Sequence, residues 1–112
     1  MEIAFRTSKL QKRCNQHQDA CRAWGQENAE KLGRRLQEIY AADNLEQFCR
    51  LPAAGGHQLD QDLRGKWACS LAGRFRLVFE PDGDPTSFFS GGRVVAAKVV
   101  RVKILEVTNH YE

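Results

Sequence analysis

The chain has 112 residues, 42% of them hydrophobic and 28% charged, with a mean hydropathy of -0.54; this is the balance of one globular domain that folds without a metal or disulfide staple. Seventeen Lys and Arg against fourteen Asp and Glu leave a net charge of +3, which excludes polyanion binding by bulk charge and leaves only local clustering. No apolar run approaches the roughly 20 residues of a membrane span, and the N-terminal stretch turns polar and basic too soon for a signal peptide, so a cytoplasmic protein without a membrane partner is expected.

Residues 2–5 read as a short strand with Ile3 and Phe5 on one face, and Thr7-Ser8 offers a helix cap with Gln11 as a capping-box partner. Leu10, Cys14, Cys21 and Trp24 then recur at helical intervals, Asn15 is a possible division, and Gly25 is a stop. Residues 26–42 give the clearest helix, with Ala29, Leu32, Leu36, Ile39 and Tyr40 on one stripe and Lys31, Arg34, Arg35 and Glu38 away from it or along its rim. Asn44 can cap one more turn over residues 45–49 before Leu51-Pro52, and residues 53–56 form a loop.

After residue 56 the period changes from helical to alternating. Trp67, Cys69 and Leu71, a turn at Gly73, then Phe75, Leu77 and Phe79 predict a tight antiparallel hairpin. Residues 80–92 read as a mobile connection, and residues 94–107 as one long β-branched strand. The whole chain, residues 1–112, is then a single α+β domain whose N-terminal helical hairpin packs on one face of a small, mainly antiparallel sheet, the other face being open.

Arg64, Lys66, Arg74 and Arg76 lie between Leu63 and Phe79 with no acidic residue, a local charge of +4 that leaves the remainder nearly neutral. Alternation turns Arg74, Arg76 and Lys66 away from the helices. A solvated sheet face is the ordinary explanation of such cations, but with no carboxylate opposite them the concentration favours a phosphate backbone as occupant. His57 precedes the first alternating segment and His110-Tyr111 follows the last, which could bring groups able to exchange protons or stack on a base to one rim.

The four cysteines, Cys14, Cys21, Cys49 and Cys69, form no CxxC pair and read as reduced, singly packed thiols. Cys14, His17 and Cys21 share a helical face, yet three ligands without a fourth make a poor zinc site, so no metal and no cofactor are expected. Trp24 and Trp67 read as core residues.

The sequence resembles the RelE/ParE-type toxins of type II toxin–antitoxin modules, and within them the HigB-like branch of plasmid maintenance killer proteins. The carrying residues are His57-x-Leu59, Arg64-Gly65-Lys66-Trp67-x-x-Ser70-Leu71, Arg74-Phe75-Arg76-Leu77-Val78-Phe79-Glu80 and the run from Val102 to Val107, with Gly33-Arg34-Arg35-Leu36 in the second helix of the family. The resemblance implies a RelE-like fold and metal-independent, ribosome-dependent endoribonuclease activity on messenger RNA in the A site, which inhibits translation and arrests growth. It implies His57, Lys66, Arg76, His110 and Tyr111 as catalytic residues and Arg64 and Arg74 as RNA-binding residues. HigB-like chains commonly end Asp-Tyr-His where this one has Asn109-His110-Tyr111, so the two aromatic positions are exchanged. The implied partners are messenger RNA on the 70S ribosome and a cognate helix-turn-helix, DNA-binding antitoxin, with operator DNA reached only through that antitoxin. A ParE-like DNA gyrase inhibitor and a catalytically silent partner-binding module are the alternatives within the same fold.

Overall fold

The computed structural model describes residues 1–59 and 65–109. Among them the chain forms four helices and, as its main sheet, a five-stranded mostly antiparallel one. Strand β1 (Glu2–Phe5) leads into helices α1 (Ser8–Asn15), α2 (His17–Trp24), α3 (Gln26–Ala41) and α4 (Leu45–Cys49). Strands β2 (His57–Gln58), β3 (Trp67–Ser70) and β4 (Arg76–Pro81) follow; β5 (Phe89–Ser90) and β6 (Arg93–Val94) form a separate small hairpin; β7 (Arg101–Thr108) completes the main sheet.

The helix boundaries follow local chemistry. The Thr7 hydroxyl accepts from the Leu10 amide at the start of α1, and the Asn44 side chain accepts from the Gln47 amide at the start of α4. A break after Asn15 separates α1 from α2, and Gly25 ends α2 at φ 91°. That backbone conformation is one glycine adopts without cost, and it lets α3 fold back along α2.

The sheet order is β1-β7-β4-β3-β2, with β1 and β7 parallel and the remaining neighbours antiparallel. Leu32 and Ile39 of α3 with Leu45 and Phe48 of α4 pack on Trp67, Cys69, Leu77, Phe79, Val102 and Ile104. Phe48 meets Phe79 edge to face, ring centres 6.1 Å apart, a favoured aromatic geometry. The alternation of the β3 and β4 residues therefore sets the helix-facing side as expected.

Several expectations change. Tyr40 is 73% exposed, because one residue past Ile39 is a rotation of about 100°, which carries it beyond the buried stripe. Phe75 lies in the turn, where its amide donates to the Ala72 carbonyl, so β4 begins at Arg76 and runs on to Pro81. The connection expected to be mobile holds a turn of 3₁₀ helix (Pro85–Ser87) and strand β5, with Phe88 buried. The long terminal strand is in fact β6, a second 3₁₀ turn (Ala96–Lys98) and β7, with Val99 buried and its carbonyl accepting from the Leu45 amide.

The thiols are free. Burial pushes Cys14 and Cys69 up to about 12 and Cys49 up to about 11, from 9.0. Unfolded thiols ionise near pH 9 while the folded ones keep their protons, so stability is fully present below that pH and is lost as the pH rises through the window up to about 12. Urea midpoints measured between pH 8 and 11 should fall with pH in the wild type and fall less steeply after Cys14→Ala.

Candidate active site on the sheet face

Side chains on the face turned away from α3 and α4 form three rows across the strands. In the middle row His57 pairs with Ala68, Ala68 with Val78, and Val78 with Glu106. A neighbouring row contains Ser70, Arg76 and Thr108. On the other side Glu80 pairs with Lys103, and the Lys66 carbonyl accepts from the Leu59 amide, which continues the β2–β3 ladder. Alternation from Trp67 puts Lys66 on this same face. His57, Lys66 and Arg76 thus share one surface.

His57 is exposed, and its Nδ1 lies 2.9 Å from the Gly55 carbonyl. A carbonyl only accepts, so Nδ1 carries the hydrogen and the neutral ring presents an unprotonated Nε2. Gly55 stands at φ 59°, and a Cβ there would lie 2.8 Å from the Ser70 hydroxyl. Glycine lets the chain pass close to β3 and turn its carbonyl toward the histidine.

Arg35 supports this loop from beneath. It is buried, contrary to its expected place away from the apolar stripe or along the rim. Its Nε donates to the Ser70 carbonyl at 2.9 Å, Nη2 to the Ala53 carbonyl at 2.7 Å, and Nη1 to Glu38 at 2.8 Å. The Ser70 amide donates to the Ala54 carbonyl at 2.8 Å. One guanidinium thereby joins α3, the end of β3 and the loop that presents His57.

Arg76 is half-buried, and its Nη1 donates to the carbonyls of Gly73 and Phe75 at 3.0 and 2.8 Å. Its guanidinium rests against its own turn. The register places the backbones of His57 and Arg76 about 12 Å apart, two strands across and two residues along. Arg74 is exposed in that turn. Arg64, His110 and Tyr111 lie outside the described residues, and Thr108 stands opposite Arg76.

Two features of this face differ from expectation. Its centre is closed: Ala68 and Val78 are fully buried and Leu105 nearly so, with Leu59 packed against them. It also carries carboxylates, Glu80 with Nζ of Lys103 at 3.8 Å, and Glu106 at the end of the His57 row.

Glu106 is the residue the sequence pattern concealed. Val78 pairs with Glu106 but Phe79 pairs with Ile104, so Leu105 is an extra residue in β7. Strict alternation from the buried Ile104 would turn Glu106 inward. The bulge shifts the phase and brings Glu106 onto the outer face.

No protein-family model, curated protein or solved structure matches this chain. Among the described residues, no three His, Cys, Asp or Glu side chains cluster so as to hold a metal ion, and no helix is long and apolar enough to cross a membrane. His17 and Cys21 approach to 3.4 Å as a pair.

Proposed function

We propose that this chain is the toxin of a type II toxin–antitoxin module, RelE/HigB-like in arrangement, and acts as a ribosome-dependent endoribonuclease. The supporting observation is the exposed His57 with Nδ1 anchored and Nε2 available, on the sheet face that also carries Lys66 and Arg76. The motif resemblance from His57 to Glu80 supplies the substrate class.

In this reading His57 Nε2 takes the proton of a 2′-hydroxyl as that oxygen attacks the adjacent phosphorus. The bond from phosphorus to the 5′-oxygen breaks, giving a 2′,3′-cyclic phosphate and a 5′-hydroxyl whose proton comes from His110 or Tyr111. Arg76, after leaving its turn carbonyls, binds phosphoryl oxygens together with Lys66 and stabilises the charge that develops on them. Arg64 and Arg74 hold the flanking backbone. An antitoxin of the helix-turn-helix class restrains the activity in the cell, where the protein works in the cytoplasm, and brings the pair to operator DNA.

A binding module without cleavage, gyrase inhibition included, is the competing reading. The guanidinium of Arg76 resting on Gly73 and Phe75 favours it, since a binder needs no charge placed on a reacting phosphate. Cleavage of messenger RNA on programmed ribosomes by wild type and Arg76→Ala separates the two. The nuclease reading predicts a rate lower by on the order of a hundredfold or more in the variant, with unchanged circular dichroism. Equal rates remove Arg76 from the reaction, and no cutting by folded wild type selects the binding module.

A further inference from the structure

The residues from Arg6 to Trp24 hold a second concentration of positive charge: Arg6, Lys9, Lys12, Arg13 and Arg22 against Asp19, a net +4. It equals the charge between Leu63 and Phe79, so the residues outside these two stretches sum to −5. Lys9, Lys12 and Arg13 fall at i, i+3 and i+4 on α1, where like charges on one helical face repel. Among the described residues, no carboxylate lies within ion-pair distance of Arg6, Lys9, Lys12 or Arg13.

These cations line two grooves that have Lys9 and Arg13 in common. Lys9, Lys12, Arg13 and Arg22 line a groove of about 320 Å³ with Asp19. One Asp19 oxygen is 3.9 Å from Arg22 and the other is buried, so four cations stand against one carboxylate around this groove. A second groove of about 270 Å³ shares Lys9 and Arg13 and adds Arg6, Trp24 and Glu106. Glu106, which ends the His57 row, also lines this second groove, so a carboxylate stands where the groove reaches the sheet face.

We propose that this groove binds the phosphate backbone of single-stranded RNA. A strip of cations with a half-buried tryptophan beside it suits a chain of phosphates with bases better than a small anion, because bases stack on aromatic rings. The proposal adds an RNA contact to the proposed function but stands apart from cleavage, since binding alone reads it.

The test is fluorescence anisotropy of a short labelled oligouridylate, with salt raised from about 50 to 200 mM. Two triple variants are compared with wild type: Lys9→Gln, Lys12→Gln, Arg13→Gln in the groove, and Arg34→Gln, Arg93→Gln, Lys98→Gln at exposed positions elsewhere. The groove variant should bind about tenfold more weakly or worse at low salt, and its log–log salt slope should lose about 2, at about 0.7 per phosphate contact. Equal losses in both triples, or none in the groove variant, with circular dichroism intact in each, would overturn the proposal, as would a wild type that does not bind. Inorganic polyphosphate of matched charge should compete less well than RNA; equal competition would replace RNA with any polyanion.

Discussion

An Arg35→Met chain is expected to unfold in urea with a stability about 3 kcal/mol or more below wild type. Methionine restores most of the packing volume but leaves the carbonyls of Ser70 and Ala53 without the donors they now meet, and Glu38 without its cation. An orphaned buried acceptor costs about 1–3 kcal/mol. The adjacent Arg34 is exposed, so Arg34→Met should stay within about 0.5 kcal/mol of wild type. Similar midpoints for the two variants would show that Arg35 does not carry the connection between α3, β3 and the His57 loop.

His57→Ala is expected to reduce cleavage on programmed ribosomes by about 10²–10⁴-fold, the usual contribution of a positioned acid or base. The side chain is exposed on a two-residue edge strand, so its removal should leave the thermal midpoint nearly unchanged. The single-turnover rate is the quantity to measure, because it separates the chemical step from ribosome binding. A rate within a few-fold of wild type would remove His57 from the reaction and leave the cations as a binding surface.

The sequence displayed its helices because their signals are local: Thr7 and Asn44 cap, Gly25 stops, and the stripe through Leu32 and Ile39 repeats at the helical period. The alternation of Trp67, Cys69, Leu77 and Phe79 likewise identified the helix-facing side of the sheet. Long-range events were hidden. Arg35 occupies a position on α3 that looks solvated, and its burial depends on carbonyls 18 and 35 residues away.

The site was legible only as residue types. His57, Lys66 and Arg76 do lie on one face, but the attachment of Arg76 to its own turn and the anchoring of His57 by Gly55 are properties of backbone geometry. The inserted Leu105 reverses the phase of β7 and presents Glu106, which alternation alone assigns to the opposite side. The charge of α1 and α2 was present in the residue count, but its grouping around one groove depends on how the two helices pack.

Incubation of purified wild-type protein with a defined messenger RNA, with and without programmed ribosomes, followed by mapping of the new 5′ ends, tests the proposed nuclease activity. Codon-spaced cuts with 5′-hydroxyl ends should appear only when ribosomes are present. Intact messenger RNA in the presence of ribosomes and folded protein would contradict that activity.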